Sequence, residues 1–225
     1  MYNLELFPPE YWTHYTSSKS VKKWKSEKSA NEQYYQLVEL EATDNVYQAI
    51  ENLVQNTWEA SKVGHGQDAK GLGGYTQLQV NKIERLENID LWESYGHFRS
   101  QLFHKASDID IFDSLESLPN SKGPIKTLQE LQPELEEQIF PEVNEVFLFH
   151  GTKADKFDAV ISKGLDFRMA GDKAMFGSGT YMAESSTKAD QYTGKIKYRN
   201  ISYLRSHLLA MFISFKLWLW KYVTV

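Results

Sequence analysis

No cysteine occurs among the 225 residues, which excludes disulfides and every zinc site built on thiolates. The six histidines, at 14, 65, 97, 104, 150 and 207, show no metal-ligand spacing, so no metal is expected. Asp108, Asp110 and Asp113 lack the Gly and terminal Glu of a calcium-binding hand and read as a solvated loop. Basic charge is scarce: 25 Lys and Arg against 30 Asp and Glu leave a net charge of −5 and no overall footprint for nucleic acid. No long apolar run is present. The richest stretch, residues 208–225, contains two lysines and falls short of the roughly 20 apolar residues of a membrane span. Residues 64–74 are glycine-rich but lack the Gly-Lys-Ser/Thr ending of a phosphate-cradling loop. Gly-x-Ser-x-Gly is absent too, and Gly177-Ser178-Gly179 lacks the strand-elbow setting, so a serine-hydrolase reading fails.

What remains is a packed globular chain, 41% hydrophobic and 14% aromatic. Its acidic, proline-bearing start is unlike a signal peptide, and an intracellular protein, nuclear or cytoplasmic, is expected. Residues 1–33 read as a lead segment, with an aromatic cluster (Tyr11, Trp12, Tyr15) and a lysine-rich run that forms a solvated face. Residues 34–40 read as a first strand. Thr43 or Asp44 then caps a helix whose stripe is Val46, Ala49, Ile50, Leu53, Val54, Thr57 and Trp58. Residues 78–86 read as a second strand, followed by a helix over 88–105 that buries Leu91, Trp92, Tyr95, Phe98 and Leu102. The acidic stretch 106–142, broken by four prolines, is a connector with one short helix at 127–131.

The informative block is residues 147–192. An apolar run ends on His150-Gly151-Thr152, as a buried strand does when it delivers its last side chain to a surface. A helical segment with Phe157, Val160 and Ile161 on one face follows, stopped by Gly164. Lys163-Gly164-Leu165-Asp166 comes next, then Met175-Phe176-Gly177-Ser178-Gly179-Thr180-Tyr181-Met182-Ala183-Glu184 and Ser186-Thr187-Lys188-Ala189-Asp190-Gln191-Tyr192. Singly these are weak signals. In this order and with these gaps they resemble the catalytic core of the poly(ADP-ribose) polymerase (PARP) family, the diphtheria-toxin-like ADP-ribosyltransferases. The resemblance extends upstream over residues 80–95, and its nearest look is to the tankyrase-like and mono-ADP-ribosylating branches.

The resemblance implies an α+β fold, a split mixed sheet with flanking helices, with residues 34–206 as the catalytic domain. It implies transfer of ADP-ribose from NAD+ to a protein acceptor with release of nicotinamide. The bond from nicotinamide to ribose breaks through an oxocarbenium-like transition state, and the leaving group is already cationic. Such a site must fix the nicotinamide and stabilise positive charge rather than supply a strong acid. By the resemblance, His150 hydrogen-bonds the adenosine-side ribose, the Gly151 backbone meets the nicotinamide amide, and Thr152 completes the triplet. Tyr181 and Tyr192 sandwich the nicotinamide ring; Asp166 and Arg168 meet the adenosine; Phe176, Gly177 and Gly179 shape the turn that aims Tyr181.

Two departures from the pattern are visible. The serine hydroxyl expected after the Lys of the second tyrosine block is Ala189 here, with Thr187 two positions earlier. One lost hydrogen bond to a bound amide costs on the order of 1 kcal/mol, which weakens NAD+ binding without abolishing it. The third catalytic position, a glutamate in polymer-forming members, has no counterpart: after Tyr181 the acids are Glu184 and Asp190 alone. The final strands of the fold are therefore expected to be missing, residues 207–225 to be an apolar tail, and the chain to be a truncated or mis-spliced product. Residues 208–215 still read as a central strand, whereas residues 216–225 have no place in the expected fold. Two rivals follow: a form that binds NAD+ or a full-length relative without chemistry, and an unfolded fragment with an exposed sheet edge.

Overall fold

The computed structural model describes residues 5–29, 32–65, 75–108, 123–169, 177–193, 207–214 and 217–224. Ser20 caps α1 (Val21–Glu27), its hydroxyl accepting the Lys23 N–H at 3.4 Å. β1 (Tyr35–Glu39) leads to α2 (Asn45–Asn56), where the Asp44 carboxylate accepts the Val46 N–H at 2.7 Å. Tyr47, Ala49, Ile50, Leu53 and Val54 recur at helical spacing and are all buried. β2 (Lys82–Asn88) runs directly into the 20-residue α3 (Ile89–Asp108). The short α4 (Lys126–Gln129) and α5 (Pro133–Glu136) follow, and at Asn144 a left-handed φ of 57°, which asparagine tolerates, turns the chain into β3 (Val146–Thr152). α6 (Phe157–Lys163) stops at Gly164, whose φ of 81° suits a residue without Cβ. α7 (Ser186–Asp190) precedes β4 (His207–Ser214) and β5 (Leu217–Thr224).

The strands make one sheet in the order β1-β2-β5-β4-β3. Among the described residues every pairing is antiparallel, so the α+β class holds while the expected split mixed sheet is here a single antiparallel one. The closing residues depart from expectation. Residues 216–225 have no place in the expected fold, yet β5 lies in the middle of the sheet, pairing Ile83 with Val223 on one side and Leu209 with Tyr222 on the other. Its sequence, Leu-Trp-Leu-Trp-Lys-Tyr-Val-Thr, is aromatic and β-branched and suits a pleated surface. The second strand also begins later than expected. The carbonyls of Thr76 and Leu78 accept from Trp58 Nε1 and Gln55 Nε2 at 2.9 and 3.0 Å, so the ladder starts only at Lys82.

The core lies between the sheet and α2 and α3, and the lead segment belongs to it. Trp12, Tyr15 and Val21 are buried together with Ile50, Leu53, Ile83, Trp92, Tyr95, Phe147 and Phe149. Trp12 packs on Trp92 with ring centres 5.6 Å apart, and Trp92 Nε1 donates to the Phe7 carbonyl at 2.8 Å. The lead segment is fastened at Glu87, a carboxylate with no solvent exposure. It accepts the backbone N–H groups of Thr13, His14 and Tyr15 at 2.8, 2.8 and 2.9 Å. Arg85, two residues earlier and thus on the same face of β2, adds its Nε and Nη2 at 3.1 and 2.7 Å. Every lone-pair direction of that buried charge is used, which is the condition for burying one.

Candidate active site

Strand β3 is an edge of the sheet, and its backbone amides alternate between the β4 side and the open side. On the open side the Phe147 carbonyl accepts from Thr127 Oγ1 at 2.5 Å. Two residues on, Phe149 exchanges both its hydrogen bonds with Ala183, N–H to carbonyl at 2.8 Å and the reverse at 2.9 Å. Alternation therefore directs the Gly151 N–H and carbonyl to that same open side. Phe147, Phe149 and Gly151 share one face of β3, while His150 lies on the other.

His150 is half-buried, and its Nδ1 lies 2.9 Å from the Tyr181 carbonyl. A carbonyl can only accept, so Nδ1 carries the proton and Nε2 is left as an acceptor. Burial pushes the imidazole below the ordinary histidine pKa, which keeps that acceptor in place. Tyr181 in turn donates its hydroxyl to the Gly177 carbonyl at 2.8 Å, and Gly177 has the positive φ of 86° that the turn requires. Tyr181 and Tyr192 are 36% and 40% exposed, unusual for rings beside a packed core.

α7 closes the other side of the strand. A Cβ added to Gly151 would lie 1.8 Å from the Ala189 carbonyl oxygen and 3.2 Å from the Tyr192 Cβ, so only glycine allows α7 this close. Thr187, the hydroxyl nearest to the expected serine, is not available to a ligand: it is 2% exposed and its Oγ1 accepts the Glu59 N–H at 2.6 Å. Ser185 and Ser186 are likewise committed, their hydroxyls donating to the Thr57 and Val54 carbonyls at 2.9 and 2.8 Å. Glu184, which the sequence set aside as a catalytic acid, accepts the Lys126 N–H at 2.8 Å, and Lys126 Nζ pairs with Glu59 at 2.8 Å. Paired with both Lys126 and Lys62, the Glu59 carboxyl is held below its ordinary pKa. Sequence reasoning had no signal for these supports, nor for the Tyr75 hydroxyl that donates to Asp190.

The structure thus brings His150, Gly151, Tyr181, Tyr192, Gly177 and Ala189 into one cluster. It does not bring in every candidate. Thr152 is buried on β3 with 7% exposure. Arg168 is exposed on the turn Phe167–Met169 and Asp166 stands half-buried just before it, where Arg168 Nε and Nη2 bond both Asp166 oxygens. That ion pair lowers the Asp166 pKa and raises that of Arg168. Gly179 has nothing near its Cβ position, and Phe176 lies outside the described residues. Among the described residues no group of three or more His, Cys, Asp or Glu is placed to hold a metal, and no helix is long and apolar enough to cross a membrane.

Comparison with known proteins bears on the cluster as a whole. Protein mono-ADP-ribosyltransferase PARP11 of Homo sapiens is 24% identical over 159 residues, 70% of this chain and 32% of that protein. PARP11 of Mus musculus is 24% identical over 159 residues, with 70% and 33% covered. Protein mono-ADP-ribosyltransferase PARP12 of Mus musculus is 24% identical over 135 residues, 60% of this chain and 14% of that protein. The chain spans about a third or less of the length of these curated relatives. The family model described as the poly(ADP-ribose) polymerase catalytic domain matches residues 45–214, from the start of α2 to the end of β4 and so across the whole cluster. On that match the chain belongs to the poly(ADP-ribose) polymerase catalytic-domain family.

Proposed function

We propose that the protein transfers a single ADP-ribose unit from NAD+ to a protein acceptor. The observation that carries the reading is the pair of half-exposed tyrosines standing beside an edge-strand His-Gly whose histidine offers Nε2 as an acceptor. Nicotinamide lies between Tyr181 and Tyr192, and its amide pairs with the outward N–H and carbonyl of Gly151 as an added strand would. His150 Nε2 accepts a hydroxyl of the adenosine-side ribose. Asp166 and Arg168 meet the adenosine, and Gly177 and Gly179 shape the turn before Tyr181. Thr152 contributes through packing, since its side chain is buried.

In the reaction the bond between the nicotinamide nitrogen and the ribose anomeric carbon breaks. Its electron pair stays on nitrogen, which neutralises the pyridinium. The acceptor side chain forms the new bond to the anomeric carbon and releases its proton to solvent. Orientation of the ring and exclusion of water are what the chain supplies. With the Ser185 and Ser186 hydroxyls donating to backbone carbonyls and Thr187 buried, the nicotinamide carbonyl has one donor fewer, at a cost on the order of 1 kcal/mol. Transfer of one unit is supported by the names of the relatives, which are mono-ADP-ribosyltransferases.

The test is incubation of the purified protein with labelled NAD+ and a cell extract, followed by electrophoresis and intact-mass measurement. Discrete labelled bands carrying the mass of one ADP-ribose are expected, lost in His150→Ala and Tyr181→Ala. A ladder of polymer rejects the single-unit reading. Absence of label in a folded protein rejects transfer.

A further inference from the structure

α7 has five residues and no side-chain cap at its start, so it has little helical stability of its own. Its position is set by side-chain bonds: among the described residues, those from 185–191 reach Val54, Thr57, Glu59, His65 and Tyr75. Ser185, Ser186 and Thr187 fasten its first half to Val54, Thr57 and Glu59. The second half, which carries the Ala189 carbonyl and leads to Tyr192, is held differently. Tyr75 donates its hydroxyl to Asp190 Oδ2, and Gln191 Nε2 reaches the His65 carbonyl at 3.2 Å on an exposed surface. Asp190 is 2% exposed, so the Tyr75 bond is a charge-assisted one at low local dielectric.

Tyr75 is itself well placed to hold that position. Its ring stacks on Trp58 at 6.1 Å and 27°, and Trp58 is pinned by its own bond to the Thr76 carbonyl. Burial and the Asp190 carboxylate both raise its pKa, so the hydroxyl remains a donor at any physiological pH. Tyr192, by contrast, is 40% exposed, with the Lys188 ammonium 5.2 Å from its ring centre. We infer that Tyr75 is a positioning residue: acting through Asp190, it sets where Tyr192 stands relative to Gly151. As far as the ligand is concerned this rests on the NAD+ reading above. It adds a residue 117 positions upstream of Tyr192 that the family motifs do not contain.

The experiment is a double-mutant cycle read as NAD+ affinity by calorimetry, on the 225-residue protein, Tyr75→Phe, Tyr192→Ala and the double variant. Tyr75→Phe is expected to weaken binding about tenfold, equivalent to ~1.4 kcal/mol. In the Tyr192→Ala background the same change is expected to matter by less than about twofold, because the ring it positions is gone. Asp190→Asn keeps an oxygen for Tyr75 and is expected to weaken binding only about threefold, since a neutral acceptor is roughly half as strong. An equal factor in both backgrounds means Tyr75 is merely structural, and no effect of Tyr75→Phe overturns the inference outright. Hydrogen exchange over residues 186–193 without NAD+ separates the two readings. Faster exchange in Tyr75→Phe, with no NAD+ bound by any variant, keeps the positioning role and overturns the ligand. Unchanged exchange overturns the positioning role.

Discussion

His150 shows how one side chain links burial to chemistry. Its Nδ1–H is held by the Tyr181 carbonyl, and burial lowers its pKa, so the neutral ring presents Nε2 as an acceptor. The sign of the pH dependence follows. The unfolded chain takes up this proton near the ordinary value of 6.5, and the folded chain only at lower pH. Between the two the unfolded state binds more protons, so the stability contribution is present above 6.5 and is lost as pH falls toward the folded value. NAD+ affinity is expected to follow the same group: level at neutral pH, then falling in acid with a midpoint below 6.5. His150→Gln should remove that acid limb. A wild-type affinity that stays level in acid until the protein unfolds contradicts this role for Nε2.

At the scale of elements, the contact between β3 and α7 decides the site. Gly151→Ala would drive a methyl group into the Ala189 carbonyl, so α7 must move and take Tyr192 with it. Loss of NAD+ binding with a far-ultraviolet circular dichroism spectrum unlike that of an unfolded chain is expected; retained affinity contradicts the packing described. The sequence showed the ends of this contact, because His150-Gly151-Thr152 and the two tyrosines lie in one ordered block. It also showed α2 through its stripe, a cap at Thr43 or Asp44, of which the fold uses Asp44, and the stop at Gly164. What it hid are pairings between distant residues. Tyr75 with Asp190, Lys126 with Glu184, and Glu87 with residues 13–15 are set by the fold and carry no local pattern. The strand Leu217–Thr224 was missed for another reason: a short apolar run looks the same as a tail until its partners in β2 and β4 are known.

For the whole molecule, the lead segment and the sheet form one unit, since residues 13–15 satisfy a fully buried carboxylate and Trp12 and Tyr15 fill the core. Glu87→Ala leaves the buried Arg85 and three N–H groups without their acceptor, and breaking such a pair costs about 3–5 kcal/mol. Urea unfolding should register that loss; a midpoint equal to the wild type would mean that the lead segment is not docked through Glu87. Removal of residues 1–20 is expected to be worse, exposing the faces that Trp12 and Tyr15 cover. The proposed function requires the folded unit to cleave NAD+ in the cluster formed by β3, Tyr181 and Tyr192. Nicotinamide release by the purified 225-residue protein tests it most directly, beside Tyr181→Ala and Tyr192→Ala. NAD+-dependent release that both substitutions abolish is expected. No release from a folded protein, or release that both variants retain, contradicts it.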